Sequence, residues 1–414
     1  MGLKRNTDSH AEEYGMVAAA QETSWLARAD VFAGLSEEQR AMLAPVFRTR
    51  DLQAGEVVCK QGDAGDYLAV VTAGELSVRV QREGHETEVR VLGLHEVFGE
   101  MSCLDPAPRS AAVVARVDSR VKMLSRTMLN ALHTNAPALF SGVVRGVANR
   151  VAERLEATNA RIEELLATKR SPTQPRQPSL AQLQSDLSRG RPHQGEVMLE
   201  AVGALKPFSA RDLEVLKTVS VARAFAPGEI ICLQGEPARA AFVVASGRVD
   251  VLRAVNQKIY QLARVEEGSL LGQLALLRDA RRSATLRAVD DVVILGLARD
   301  RFEALLAAQS PLAIAFQEIV TIAGIQQLRM ANDLVGYLDG REAKRQIPDI
   351  ARRIVRKEVA DTIDEADEVE AIAAAYLQTT LQNWDISPSE LKRVRVVKSE
   401  GVMSAAEIAA RLKK

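Results

Sequence analysis

Residues 55–62 read GEVVCKQG, and residues 228–235 read GEIICLQG. The second stretch follows the first by 173 positions. The same offset joins further identical pairs: Gly74 and Gly247, Gly99 and Gly272, Arg109 and Arg282, Ser110 and Ser283, and Ala111 and Ala284. Chance similarity does not hold one register over this length. The sequence therefore predicts two copies of one domain.

Both copies follow one order of predicted elements. Each opens with a helical stretch, and a serine, Ser36 or Ser209, stands in the N-cap position before it. Short alternating apolar runs follow, separated by glycines that we expect at turns with positive φ. Many short strands of this kind predict a small β-barrel, and a long helical stretch closes each copy. The predicted fold class is α+β, with two β jelly-roll barrels flanked by helices and an α-helical C-terminal region.

We expect five segments along the chain, which at 414 residues has room for two or three domains. Prolines mark a flexible linker between the copies. Opposite charge blocks in the last segment indicate solvated helices that pair with each other. The segments are an N-terminal helical or flexible segment (1–29), copy A with its closing helix (30–168), the linker (169–196), copy B with its closing helix (197–335) and the helical C-terminal region (336–414).

The first closing helix is predicted from about Pro137 to Thr168. Its apolar residues recur every three to four positions: Phe140, Val143, Val147, Val151, Leu155, Ile162 and Leu165. Such a stripe suits packing on its own barrel, and it equally suits a partner helix in a dimer. The sequence alone leaves both arrangements open.

The composition argues against several classes of protein. Lys plus Arg and Asp plus Glu both number 54, so a general nucleic-acid binder is disfavoured. The three cysteines, Cys59, Cys103 and Cys232, are too scattered for a disulfide scaffold, and a reducing, cytoplasmic setting is the natural interpretation. No apolar run approaches the ~18 residues of a membrane span.

We also expect no enzyme activity, no catalytic residue and no cofactor. The five histidines have neither metal-ligand spacing nor a paired nucleophile, and no phosphate-cradling P-loop is present. We expect no metal site either. The sharpest alternative is an acidic cluster in the C-terminal region, which lacks a loop glycine and ligand spacing. It consists of Asp364, Glu365, Asp367 and Glu368.

The stretch FGEMSCLDPAPRSAAVVA at residues 98–115 carries the chemistry. Gly99 permits a tight turn after a strand, and a short helix from Glu100 to Leu104 presents free backbone N–H groups that suit an anion. Arg109 follows, and its guanidinium can bind two phosphate oxygens at once. Glu100 suits neutral hydroxyl donors instead. A sugar phosphate would satisfy both side chains.

This stretch resembles the phosphate-binding cassette of cyclic-nucleotide-binding domains, found in bacterial catabolite activator proteins and in regulatory subunits of cAMP-dependent protein kinase. The resemblance covers about residues 30–168 and 200–335. It implies that Glu100 accepts from the ribose 2′-hydroxyl and that Arg109 pairs with the cyclic phosphate. Ser102, Ser110 and the backbone near Met101 would add hydrogen bonds. The residues that carry the resemblance are Phe98, Gly99, Glu100, Ser102, Pro108, Arg109, Ser110 and Ala111.

The cassette of copy B reads LLGQLALLRDARRSATLRA at residues 270–288. Gln273 stands where copy A has the carboxylate, and Arg281 stands where it has proline. A hydrogen bond to a neutral group contributes ~0.5–1.5 kcal/mol against ~1.5–3 for a charged one. We therefore expect a second site that is about tenfold weaker or chemically altered. The alternative is a copy that is purely structural. Its candidate residues are Gly272, Gln273, Leu274, Ala275, Arg282, Ser283 and Ala284.

The resemblance implies a cytoplasmic sensor of cAMP or cGMP. Its output would be a protein contact or a homodimer made by the closing helices and the C-terminal region. The choice between the two nucleotides stays open, and the aromatics that could stack on the base, Tyr337, Tyr376 and Trp384, suit packing equally well. Two further functions remain as alternatives: a ligand-independent scaffold and a transcriptional regulator.

Overall fold

The computed structural model describes residues 23–338 except for short gaps, together with the backbone of residues 395–398 and 401–404. The N-terminal segment up to residue 22, most of the linker and most of the C-terminal region lie outside the described residues. So do the predicted acidic cluster and the side chains of Tyr337, Tyr376 and Trp384. The gaps are residues 83–84, 169–182, 184–186, 189, 194, 196, 198–204, 206–207 and 257.

Among its described residues, copy A contains two four-stranded antiparallel sheets and four α-helices. Its strands are β1 (Arg48–Leu52), β2 (Val57–Cys59), β3 (Tyr67–Ala73), β4 (Leu76–Arg82), β5 (His85–Leu92), β6 (Val97–Phe98), β7 (Ala112–Ala115) and β8 (Ser119–Ser125). Its helices are α1 (Glu37–Leu43), α2 (Glu100–Leu104), α3 (Arg126–Asn135) and α4 (Pro137–Thr168). The strand orders are β1-β8-β3-β6 and β2-β7-β4-β5.

The described part of copy B repeats this plan. One extra short strand, Arg191–Pro192, comes from the predicted flexible linker and pairs with the sheet of copy B, so the linker prediction is wrong for these two residues. The strands of copy B are β9 (Arg191–Pro192), β10 (Ser220–Phe225), β11 (Ile230–Cys232), β12 (Ala240–Ser246), β13 (Val249–Val255), β14 (Lys258–Val265), β15 (Leu270–Leu271), β16 (Thr285–Ala288) and β17 (Val292–Ala298). Its helices are α5 (Ala210–Val219), α6 (Gln273–Leu277), α7 (Arg299–Ala307) and α8 (Pro311–Leu338). The strand orders are β15-β12-β17-β10-β9 and β11-β16-β13-β14.

The offset of 173 residues holds from element to element. Strands β2, β3 and β4 of copy A map without a shift onto β11, β12 and β13, and helix α2 maps onto α6. Helix α4 begins and ends at the predicted Pro137 and Thr168. The structure therefore confirms the repeat, the closing helix and a mixed fold of sheets and helices. Closure of each pair of sheets into a jelly-roll barrel stays a prediction.

Local chemistry explains where these elements begin and turn. Ser36 accepts from the backbone N–H of Gln39 at 3.2 Å, and the Gln39 side chain accepts from the Ser36 N–H at 3.0 Å. Ser209 and Asp212 make the same reciprocal pair in copy B. Such capping boxes contribute about 1 kcal/mol each, and both predicted N-caps are confirmed. The repeated glycines adopt the expected positive φ, +87° at Gly55 for example.

The contacts divide the described chain into two units. The first comprises Met1–Ala157, Leu183–Arg253 and Gln261–Arg329 and contains the sheets and cassettes of both copies. The second comprises Thr158–Gln182, Ala254–Tyr260 and Met330–Lys414. In the second unit the Thr158 hydroxyl lies 3.3 Å from the side-chain oxygen of Asn332.

The second unit also contains an unexpected hairpin. Strand β18 (Arg395–Lys398) pairs antiparallel with β19 (Gly401–Ser404) where the sequence predicted a helical region. The prediction is wrong for these eight residues. Val396, Val397 and Val402 are β-branched and favour strands, and this local preference was overlooked in favour of the charge blocks upstream.

The apolar stripe of α4 packs inside its own chain. Phe140, Val143 and Val147 are at most 2% exposed and belong to the core cluster that includes Leu68 and Val70 of β3. The same cluster contains Ile314, Ile325 and Leu328 of α8. The stripe therefore packs inside the chain, on its own sheets and on the closing helix of copy B, as the first of the two predicted arrangements requires. A partner helix in a dimer stays a prediction.

Among the described helices, none is by itself long and apolar enough to cross a membrane, although the bent pair Arg299–Ala307 and Pro311–Gly336 passes that test by length and composition.

We predict that Gly55→Ala lowers the thermal unfolding temperature while Gly34→Ala does not. A Cβ meets nothing within 4 Å at either position, but only Gly55 has a positive φ, +87°. The left-handed conformation costs a residue with a Cβ about 1 kcal/mol, so Gly55→Ala should cost several degrees and Gly34→Ala should be neutral or slightly stabilising. Differential scanning fluorimetry measures both, and equal shifts would contradict the assigned backbone strain.

Candidate functional site

Arg109 is a buried cation held at the edge of the cassette. It is 5% exposed, and its Nη2 donates to the Tyr67 carbonyl at 2.8 Å. Its backbone N–H donates to the Asp63 carbonyl at 2.8 Å, and its carbonyl accepts from the Gly62 N–H at 2.9 Å. Its Nε and Nη1 have no hydrogen-bond partner. Since buried donors are almost always paired, these two N–H groups are positioned to receive an anion.

The environment of Arg109 requires a glycine at the start of α2. Gly99 has a φ of +79°, and a Cβ there would lie 2.7 Å from the Tyr67 carbonyl and collide with the Arg109 guanidinium. The Tyr67 ring centroid lies 4.3 Å from Arg109 Cζ. Burial raises the pKa of Tyr67 to about 12, so its neutral hydroxyl donates to the Val58 carbonyl at 3.2 Å.

Glu100 lies beside two arginines of the closing helix rather than beside Arg109. The carboxylate is 2% exposed and accepts from Arg154 Nη1 at 2.8 Å, and Arg150 Nε lies 3.8 Å away. Arg150 also donates to the Val97 carbonyl at 3.1 Å. Burial, followed by the nearby charge of Arg154, lowers the pKa of Arg150 to about 10. These contacts connect the cassette to α4.

The sequence analysis missed Arg150 and Arg154. A signal was present, because residues four apart on a helix share a face and a buried carboxylate needs a cationic partner. The apolar stripe on the same helix pointed to core packing alone.

A further arginine fixes the cassette helix to the preceding loop. Arg126 Nε donates to the Cys103 carbonyl at 3.0 Å, and its Nη2 also contacts the carbonyls of Gly65 and Ser102. Its counterpart Arg299 donates to the Ala238 carbonyl at 2.8 Å, and Ala238 is the repeat equivalent of Gly65. The repeat itself could have identified this pair, because Arg126 and Arg299 lie 173 residues apart.

The other predicted site residues of copy A differ in solvent exposure. Phe98 and Ser102 are buried, and Met101 is half-buried with its sulfur 3.6 Å from Arg154 Nη1. Ser110 is exposed and Ala111 half-buried.

Arg282 in copy B has the same framework with more of its donors satisfied. It is 7% exposed, its Nη2 donates to the Ala240 carbonyl at 2.5 Å, and its Nη1 donates to the Gly272 carbonyl at 3.2 Å. Burial lowers its pKa. The ring over its guanidinium is Phe242, at 4.7 Å, in place of Tyr67. Phe242 lies two residues beyond the Tyr67 equivalent, so it stays on the same face of the strand.

A cavity of about 340 Å³ lies against Arg282. Its wall combines two cations, a carboxylate and apolar side chains. The lining residues are Ile231, Cys232, Glu236, Pro237, Arg239, Ala240, Phe242 and Arg282. Charged groups next to an aromatic ring suit a small anionic ligand with an apolar face.

Gln273 is fully buried, and neither its side-chain oxygen nor its nitrogen has a hydrogen-bond partner. The arginines that neutralise Glu100 are also absent from copy B, since Arg150 and Arg154 correspond to Ala323 and Gln327. Gln327 donates to the Leu270 carbonyl at 2.8 Å instead. Copy B has therefore exchanged a complete charged cluster for a neutral one, and Gln273 retains a free donor and acceptor.

The remaining candidates of copy B differ in exposure. Leu274 is buried, Ala275 and Ala284 are half-buried and Ser283 is exposed. The Ser283 carbonyl accepts from the buried Arg253 at 2.7 Å, a contact that copy A lacks because Val80 occupies the equivalent position. No group of His, Cys, Asp and Glu in the described part of the chain is arranged to hold a metal ion.

Comparison with known proteins places this geometry in context. The family model of the cyclic nucleotide-binding domain matches residues 49–135 and 222–309. The cAMP-dependent protein kinase regulatory subunit of Blastocladiella emersonii is 26% identical over 290 residues, which is 69% of this chain and 58% of that protein. The CRP-like cAMP-activated global transcriptional regulator of Mycobacterium tuberculosis is 28% identical over 144 residues, 34% of this chain and 62% of that protein. The chain thus spans less than two thirds of these relatives.

Among solved structures, the regulatory domain of Toxoplasma gondii PKA with cAMP aligns at 19% identity with a TM-score of 0.27. The alignment covers 74% of this chain and 95% of that one.

We predict slow alkylation of Cys232 at neutral pH. Burial raises the pKa of this thiol to about 11, so fewer than about one in a thousand molecules carries the thiolate at pH 7.5. Labelling by iodoacetamide should accelerate about tenfold for each pH unit up to pH 9.5, as followed by peptide mass spectrometry. Labelling at the rate of a small free thiol at pH 7.5 would contradict this environment.

We also predict that Gln273→Glu destabilises the protein when introduced alone. The new carboxylate would be buried without the arginines that accompany Glu100, which costs several kcal/mol and many degrees in Tm. The triple variant Gln273→Glu, Ala323→Arg, Gln327→Arg should regain part of this loss.

Calorimetric scans at pH 8 and pH 5 check this prediction. The burial raises the folded-state pKa of the new carboxyl group, so stability falls as the pH rises towards that value, and the loss should be smaller at pH 5. A single variant as stable as the parent at pH 8 would show that the site tolerates an uncompensated charge.

Proposed function

We propose that this chain, whose residues 49–135 and 222–309 are cyclic nucleotide-binding domains, is a regulatory protein that senses a cyclic nucleotide mainly through copy A. The observation that carries the proposal is the buried guanidinium of Arg109, whose Nε and Nη1 are unpaired beside the start of α2. A cyclic phosphate supplies two acceptor oxygens and a negative charge at this position. The names of the relatives make cAMP the first nucleotide to test and leave cGMP as the second.

Different residues of copy A bind different parts of the ligand. Arg109 binds the phosphate, and the open N–H groups at the start of α2 assist it. Glu100 accepts from a ribose hydroxyl, and Ser102, Ser110 and the backbone near Met101 add hydrogen bonds. Phe98 and Ala111 flank these groups, and Gly99 gives the backbone the room that the phosphate site requires.

The proposed effect of ligand binding on the closing helix follows from the contact between Glu100 and Arg154 of α4. A ribose hydroxyl that reaches this carboxylate must share it with Arg154, which donates at 2.8 Å from the closing helix. Ligand binding therefore changes the hydrogen bonding of the carboxylate that Arg154 contacts from α4. We propose that a shift of α4 relative to its cassette alters a contact with a protein partner.

Copy B is proposed as a second, chemically distinct site. Its cavity and the unpartnered amide of Gln273 support ligand binding, and Arg282 provides the anion-binding end. Because Arg282 already donates to two carbonyls, it offers less to a phosphate than Arg109 does. We therefore assign the weaker affinity to copy B.

A transcriptional role receives less support. The relative with that role matches 144 residues, which is about the length of one copy and leaves most of the chain unmatched. The relatives named here are regulators and regulatory subunits, and no catalytic role is proposed for this chain.

Isothermal titration calorimetry with cAMP and cGMP tests the proposal. Arg109→Ala should weaken the tighter binding event about 100-fold, because two charge-assisted hydrogen bonds are lost. Arg282→Ala should affect only the weaker event. Arg120→Ala, an exposed arginine that pairs with Asp51 at 2.5 Å, is the matched control and should leave both events unchanged.

Two outcomes would overturn the assignment. Equal losses in Arg109→Ala and Arg282→Ala would contradict the ranking of the copies. Absence of any heat with either nucleotide at millimolar concentration would favour a ligand-independent scaffold.

A further inference from the structure

The closing helices of the two copies meet along a seam that is almost symmetric. Val151 of α4 and Gly324 of α8 are repeat equivalents, and a Cβ built on Gly324 would lie 3.3 Å from Val151 Cγ1. A position that contacts its own equivalent lies on a local twofold axis. Ser141 and Thr321 add polar contacts, since Ser141 donates to the Gln317 side chain at 2.5 Å and Thr321 to the Val144 carbonyl at 3.4 Å.

Two crossing ion contacts flank this axis, and each joins the cassette of one copy to the closing helix of the other. Arg329 of α8 pairs with the Asp105 carboxylate, and its Nη2 donates to the Asp105 carbonyl at 2.9 Å. On the other side, Arg278 Nε lies 3.7 Å from the Glu156 carboxylate of α4. Its Nη1 lies 2.9 Å from Glu153.

The same two repeat positions make both contacts with their charges exchanged. Asp105 and Arg278 are equivalent, and each is the C-cap of its cassette helix. Glu156 and Arg329 are equivalent positions on the closing helices. Copy A therefore presents acids at both positions, and copy B presents arginines at both.

This exchange discriminates between possible partners. If two A copies met through the same symmetric surface, Asp105 would face Glu156. If two B copies met, Arg278 would face Arg329. Like charges at both flanks oppose each of these pairings, whereas the A–B pairing satisfies all four side chains.

We propose that the contact surface between α4 and α8, flanked by Asp105–Arg329 and Glu156–Arg278, is specific by its charges for the pairing of copy A with copy B within one chain. It selects A–B pairing and rejects A–A and B–B pairing. The Asp105–Arg329 contact contributes most, because its side chains are 17% and 24% exposed against 49% and 36% for Glu156 and Arg278.

The test uses a cross-linking reporter in the full chain. Val151→Cys with Gly324→Cys places two thiols at the axis, and the native Cys59, Cys103 and Cys232 are buried. Mild oxidation should give an intramolecular disulfide, seen as a monomer of altered mobility on a non-reducing gel and identified by mass spectrometry. Adding Asp105→Arg should slow its formation at least about tenfold, because two arginines then face each other.

The decisive variant exchanges the charges. Asp105→Arg together with Arg329→Asp restores an opposite pair and should bring the cross-linking rate back to within about twofold of the reporter. Recovery in this variant also shows that Asp105→Arg did not act by unfolding copy A. Asp51→Arg, a charge reversal at an exposed residue far from the seam in sequence, is the control and should leave the rate unchanged.

Two results would overturn the proposal. One is an unchanged rate in Asp105→Arg, which would make the ion contacts incidental. The other is an exchanged pair that cross-links no faster than the single reversal, which would show that Asp105 acts through something other than its charge.

Discussion

The buried guanidinium that each copy places at the edge of its cassette is the constraint on which the rest of the structure depends. A cation removed from water needs acceptors, and Arg109 and Arg282 obtain them from backbone carbonyls at the start of β3 and β12. Those bonds require the strand and the cassette to approach closely, and the approach requires glycine at position 99 or 272. An aromatic ring beneath each guanidinium completes the enclosure.

Charge compensation explains how the copies diverged after sharing this framework. In copy A the buried Glu100 lies beside two arginines of the closing helix. Copy B lacks the carboxylate and both arginines together, which is the combination that avoids an unpaired buried charge. Of the described copy B residues equivalent to Glu100, Arg150 and Arg154, Gln273 is the one whose polar side chain has no hydrogen-bond partner. The difference between the cassettes therefore extends into the helices that close them.

The closing helices consequently have two functions in the fold. They bury an apolar stripe that includes Val143 and Val147, and they carry the charged groups that contact the cassettes. In copy A, Arg154 contacts its own cassette, while Arg329 of copy B contacts the end of the same cassette helix. A movement of either helix would thus be transmitted to the cassette of copy A.

Much of this was determined by the sequence alone, because repeat, cap and turn signals are local. The offset of 173 predicted the order of the elements, the serine caps and the turn glycines, and the spacing of Gly99, Glu100 and Arg109 predicted the cassette. The strand preference of Val396 and Val397 was equally local but was overlooked. Only the tertiary structure decided what Glu100 contacts, which ring lies beneath each arginine and where the stripe of α4 packs. These contacts join residues from distant parts of the chain, because a buried charge needs a partner that the neighbouring sequence does not contain.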